Sequence, residues 1–174
     1  EVIVLKQVSG LKHCVKYIDA FLDGSFSYIV MERCPMSLLQ GLESFQQYTE
    51  STLQNVLGQM LEALRSIHNI GVVHRDVKPD NFLCSGETIK LCDFGLAEDI
   101  KGRSKLRHIY GTAPFMSPEM LSGDGYDTQT DIWSFGVLAY VLLLGHFPYK
   151  PPSRNASDVK SAILAGTPEP SFRS

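Results

Sequence analysis

The chain has 174 residues, of which 44% are hydrophobic, with a formal net charge of −3 and four cysteines. That is one domain's worth of sequence with enough apolar material for a core, and its mild acidity argues against a nucleic-acid or polybasic membrane-surface role. Cys14, Cys34, Cys84 and Cys92 form no C-x-x-C pair and follow no secretory signal, so they read as free thiols in a reducing, cytoplasmic compartment.

Residues 1–8 carry apolar side chains at positions 2, 3, 4, 5 and 8, which fits the end of a partly buried helix broken by Ser9-Gly10. Residues 15–21 and 26–31 predict two strands joined through Asp23-Gly24, a hairpin-turn dipeptide. Residues 49–68 give the clearest helix, with Leu53, Val56, Leu57, Met60, Leu61, Leu64 and Ile67 forming one apolar stripe, Thr49 as N-cap and Gly71 just past the end. Residues 71–73, 82–84 and 89–92 predict short buried strands, the last two folded into a hairpin by Ser85-Gly86-Glu87-Thr88. Residues 131–144 are apolar on nearly every side, which predicts a helix buried all round and shorter than the roughly 20 residues a bilayer needs. Gly145-His146-Phe147-Pro148-Tyr149 ends it, and residues 157–164 predict another helix.

Chemistry concentrates between the predicted strands. His74-Arg75-Asp76-Val77-Lys78-Pro79-Asp80-Asn81 packs an acid, a cation and an amide into a loop pinned at both ends and stiffened by Pro79. Asp93-Phe94-Gly95 follows the second strand, so the hairpin brings Asn81 and Asp93 close. An amide oxygen and a carboxylate at that separation are hard ligands suited to Mg²⁺.

These two motifs resemble the protein kinase family: H-R-D-x-K-x-x-N and D-F-G in order, with Val77 for the usual Leu. Gly111-Thr112-Ala113-Pro114-Phe115-Met116-Ser117-Pro118-Glu119 is similar to G-T-x-x-Y-x-A-P-E, and Asp131-Ile132-Trp133-Ser134-Phe135-Gly136 to D-x-W-S-x-G. The wording of these segments is nearest to the calcium/calmodulin-dependent and calcium-dependent group. The resemblance implies an α+β fold, with residues 1–33 as the end of the small β lobe and residues 34–174 as a mostly helical large lobe, incomplete at its C-terminus, with a short hairpin at the active site.

It also implies a serine/threonine kinase that transfers the γ-phosphate of ATP, with Mg²⁺, to a protein hydroxyl. Asp76 would accept the hydroxyl proton, Lys78 would stabilise charge on the γ-phosphate, and Thr112 would bridge the two. Asn81 and Asp93 would hold the metals. In Met31-Glu32-Arg33-Cys34, the resemblance gives the Glu32 carbonyl and Cys34 amide to the adenine edge and makes Met31 the gatekeeper, while Asp80, Leu83 and Cys92 join the nucleotide site. Glu1 falls where the family's small-lobe helix carries a lysine-pairing glutamate; it reads equally well as a solvated helix residue. Asp131 would accept backbone N–H bonds from the catalytic loop. Ser37 stands where the family often has a glutamate, which leaves a preference for basic substrates without its usual acid.

Two features stay open. Lys101, Arg103, Lys105, Arg107 and His108, with no acid among them, form either a solvated basic loop or, with Arg75, a pocket for a phosphate such as one on Ser104. His108 occupies the place of the family's activating threonine, which favours a loop needing no phosphate there. G-x-G-x-x-G and V-A-x-K do not occur, so the resemblance covers the middle of a kinase domain, and the 174 residues alone are expected to be marginally stable and inactive. The partners implied are a protein carrying a Ser/Thr acceptor and a regulatory domain or protein outside the chain, with no nucleic acid and no membrane. No EF-hand loop occurs, so calcium control is not written in these residues. The alternative is a non-catalytic, kinase-like scaffold; intact Asp76, Lys78, Asn81 and Asp93 favour the enzyme.

Overall fold

The computed structural model describes residues 1–44, 49–102, 105–166 and 170–172. Arg103 and Ser104, named above for the basic loop and its phosphate, lie outside them. The chain divides into two compact units, Glu1–Val72 with Pro79–Asp99 and Val73–Lys78 with Ile100–Ser174. Helices accompany small antiparallel sheets, the expected α+β architecture.

In the first unit α1 (Val2–Val8) starts from Glu1 and buries Val4, Leu5 and Val8. Strands β1 (Tyr17–Asp23) and β2 (Phe26–Met31) pair antiparallel, closing at Asp23↔Phe26 around Gly24, whose φ of 57° suits the turn. The hairpin begins two residues later than the pattern predicts. The Val15 N–H donates to the Leu91 carbonyl at 3.0 Å, so that segment runs beside a different strand.

Strand β3 (Met36–Ser37) and α2 (Leu38–Ser44) follow, and the Ser37 and Gln40 side chains each cap the other's backbone N–H, at 2.9 and 3.3 Å. The long helix α3 (Glu50–Asn69) has Thr49 as its cap, accepting from the Thr52 N–H. It buries Leu53, Val56, Met60, Ala63, Leu64 and Ile67, but Leu61 is 43% exposed at the edge of the stripe, not in the core as expected. After β4 (Val72–Val73) come β5 (Phe82–Ser85) and β6 (Thr88–Leu91), which form a three-stranded sheet in the order β3-β5-β6, then β7 (Glu98–Asp99). Gln59 of α3 holds the β5–β6 turn, donating to the Glu87 carbonyl and accepting from the Ile89 N–H, both at 2.9 Å.

The second unit contains α4 (Pro118–Ser122), α5 (Gln129–Leu144) and α6 (Ala156–Ala165). Val73, Leu106, Met116, Met120 and Tyr126 pack as one buried cluster. Helix α5 departs from the expectation of burial on every side: Val137 and Leu138 are buried, whereas Ile132, Trp133 and Leu143 are exposed. An all-apolar helix has no pattern that marks which stripe meets the core; its neighbours decide. Gly145, at φ 73°, closes it by donating to the Val141 carbonyl. Among the described residues no helix is long and apolar enough to cross a membrane.

Candidate active site

The loop opened by β4 is held by a carboxylate on α5. Buried Asp131 accepts the His74 N–H at 2.8 Å on one oxygen and the Arg75 N–H at 2.9 Å on the other. A buried carboxylate is tolerable only when such donors replace water. His74 in turn accepts from the Asp76 N–H on Nδ1 at 3.3 Å. Arg75 has φ 69°, a left-handed conformation that a non-glycine residue holds only when its surroundings impose it.

The next stretch of the same unit closes on this loop through three consecutive residues. The Tyr110 ring lies under the Arg75 guanidinium, 4.6 Å from its carbon to the ring centroid. Gly111, at φ 108°, passes so near that a Cβ would collide with the Arg75 carbonyl oxygen. The Thr112 hydroxyl donates to Asp76 Oδ1 at 2.7 Å and accepts from Lys78 Nζ at 2.9 Å, while Lys78 Nζ lies 2.8 Å from Asp76 Oδ2. Acid, cation and hydroxyl thus close a triangle that fixes the orientation of each. Thr112 thus joins Asp76 and Lys78 through its hydroxyl. Sequence reasoning did not single out Tyr110; an aromatic residue directly before Gly-Thr was the available signal.

In the first unit, Asn81 and Asp93 sit at one end of the β5–β6 hairpin. The Cys92 N–H donates to the Asn81 carbonyl at 2.9 Å, continuing the ladder past Phe82↔Leu91. Asn81 is buried at the end of a single 3₁₀ turn, Pro79–Asn81, and Asp93 is exposed. Asp93 has φ 58° and its Oδ1 accepts from the Gly95 N–H at 3.3 Å. The Glu1 carboxylate reaches the same turn, 3.7 Å from where a Gly95 Cβ would stand.

Asp80 is exposed on the 3₁₀ turn, and Leu83 is half-buried on β5. Cys92 is half-buried, and its thiol is pushed up to about 12 by burial, by the Asp93 charge and by Cys34. It stays protonated and behaves as a small packed side chain.

Met31 ends β2, and half-buried Cys34 follows two residues after Glu32. Glu32 is tied twice by its side chain, to Lys90 Nζ at 2.6 Å and to the Lys16 N–H at 2.7 Å. Burial pushes its carboxyl up, but the Lys90 and Lys16 hydrogen bonds and the two lysine charges outweigh that and leave it below the ordinary glutamate value.

Among the described residues no three His, Cys, Asp or Glu side chains cluster to hold a metal. The oxygen pair on the hairpin, one amide and one carboxylate, fits Mg²⁺, which takes one or two carboxylates and completes its shell with phosphate oxygens and water.

A family model for the protein kinase domain matches residues 1–169. CDPK-related kinase 1 of Arabidopsis thaliana is 40% identical over 97% of this chain and 30% of its own length. Calcium/calmodulin-dependent serine/threonine-protein kinase 1 of Oryza sativa subsp. japonica is 37% identical over 97% of this chain and 28% of its length. A probable myosin light chain kinase of Dictyostelium discoideum is 34% identical over 86% of this chain and 39% of its length. The chain therefore spans roughly a third of the curated relatives it matches.

Proposed function

From the premise that the chain belongs to the protein kinase domain family, we propose that it is part of the catalytic domain of a serine/threonine kinase, with residues 1–33 from the small lobe and 34–174 from the large. The observation that carries this reading is the closed triangle of Asp76, Thr112 and Lys78. A scaffold has no physical use for a carboxylate so exactingly oriented.

Asp76 accepts the proton of the incoming hydroxyl, and the Thr112 hydrogen bond holds the carboxylate at the angle this requires. Lys78 offsets the Asp76 charge at rest and the charge on the transferred phosphoryl group during the step. Asp131 and the Tyr110–Thr112 strap keep the loop from relaxing, so little is lost to reorganisation. Asn81 and Asp93 would hold Mg²⁺, and the backbone at Glu32 and Cys34 would take the adenine, beside Met31, Leu83 and Cys92, with Asp80 and Glu1 contributing to the same nucleotide site. When bound, Mg·ATP supplies the phosphoryl group and the cation that neutralises its oxygens. The four cysteines, all free thiols, suit a cytoplasmic setting, and regulation comes from a domain or protein outside these residues.

The test uses the full-length protein with Mg·ATP and matched peptides whose single acceptor is Ser, Thr or Tyr. Transfer to Ser and Thr but not Tyr is expected. No transfer to any peptide, or transfer to Tyr, overturns the reading.

A further inference from the structure

Next to the Tyr110–Thr112 strap, the second unit holds a cavity of about 630 Å³ that none of the roles above uses. Pro114, two residues beyond Thr112, contributes to its wall, together with Phe147, Tyr149 and, on α6, Val159. Two residues of chain reach at most about 7 Å, so the cavity lies within a few peptide residues of the Asp76 triangle. Its aromatic wall is ordered: Phe147 stacks on Tyr149 with centroids 6.2 Å apart and meets Phe115 edge-on at 5.6 Å.

The polar chemistry of this cavity has one sign. Lys150 and Arg154 line it with exposed side chains, no acidic residue does, and neither cation makes an ion pair among the described residues. Asp158, close by in sequence, is turned to the start of α6, where it accepts from the Asn155 side chain at 3.2 Å. The Tyr149 hydroxyl, beneath the aromatic wall, is buried without a hydrogen-bond partner among the described residues. Burial raises the phenol's pKa further, which keeps that proton in place.

Resting on the kinase reading, we propose that this cavity selects the acceptor protein by taking an Asp or Glu side chain located within a few residues of the Ser or Thr that receives the phosphate. The apolar floor holds the carbon stem and neighbouring residues, and Lys150 and Arg154 meet the carboxylate.

The experiment measures kcat/KM of the full-length protein on three matched Ser peptides whose flanks are acidic, neutral or basic. The acidic peptide should exceed the basic one about tenfold, chiefly through KM, as two rim charge pairs allow. K150E/R154E should invert the order, and K150Q/R154Q, which adds no like charges to strain the fold, should bring the ratio near one. Equal use of the three peptides, or a ratio unmoved in both variants, overturns the proposal and leaves the kinase reading standing. Failure to phosphorylate any of the three overturns both.

Discussion

The first unit contains two hairpins built alike and used differently. β1–β2 and β5–β6 are each antiparallel and turn through two residues, Gly24-Ser25 and Gly86-Glu87, each with its glycine at positive φ. In β5–β6 buried and half-buried residues alternate strictly, and backbone groups at and beside its turn are held by Gln59 and by His13, whose ring nitrogen lies 2.9 Å from the Ile89 carbonyl. In β1–β2 no side chain is buried, and Leu22, Phe26 and Ile18 are 78%, 69% and 57% exposed. Turn chemistry builds a hairpin; only packing beneath it makes the hairpin a mount that can hold catalytic groups to within a fraction of an ångström.

The sharpest test of that distinction removes the charge from the end of the mounted hairpin. Asp93→Asn should abolish Mg·ATP-dependent phosphorylation by the full-length protein, by roughly a thousandfold or more if the carboxylate is the main metal ligand. Its melting temperature should hold, because Asp93 is exposed and asparagine adopts the left-handed conformation at φ 58° readily. Unchanged turnover would remove the metal role.

Next comes the packing itself. Ile89, 3% exposed, fills the inner face of β6, and Ile89→Ala should cost about 2–4 kcal/mol in chemical denaturation. A cost below about 1 kcal/mol would mean that the two hairpins are not as different as their burial suggests.

These contrasts also mark how far sequence reasoning reaches. The Asp131 carboxylate under the Asp76 loop and the hairpin that carries Asn81 and Asp93 at one end were legible because each needs a particular side-chain chemistry at a particular spacing. The strand alternation of β5–β6 was legible for a similar reason. What stayed hidden depends on contacts between distant segments. Val15 leaves the first hairpin because Leu91 offers a backbone partner, and Tyr110 matters because Gly111 brings it to Arg75. The exposed stripe of α5 was illegible because Ile132, Trp133 and Leu143 look the same in sequence as buried Val137 and Leu138. The Ser37–Gln40 reciprocal cap was present as a Ser-x-x-Gln pattern and could have located α2.

A smaller effect is expected where the hairpins are joined. Glu32, one residue past β2, pairs with Lys90 of β6 at 2.6 Å. Its folded carboxyl titrates below the ordinary glutamate value, so the pairing stabilises above that value and the contribution disappears as acidification passes through the lower, folded one. Glu32→Gln should therefore cost up to about 1 kcal/mol near neutral pH, and that cost should fade as acidification passes below the ordinary glutamate range. A cost that persists at acid pH would assign the effect to packing instead of charge.

The smallest effect tests the open hairpin directly. Leu22 is 78% exposed and pairs across the ladder with Ser27, while the adjacent Phe21 stacks on Tyr28 at 5.1 Å. Leu22→Ser removes apolar surface that already faces water, so in the 174-residue chain the stability should change by less than about 0.5 kcal/mol. Solubility should improve, because a contiguous apolar face invites association. The informative comparison is the same substitution in the full-length protein. A cost there of about 1–2 kcal/mol would mean that more of the protein covers this face and that β1–β2 acquires in the whole molecule the packing that β5–β6 already has here. A cost that large in the 174-residue chain itself would contradict the exposure on which the contrast between the hairpins is built.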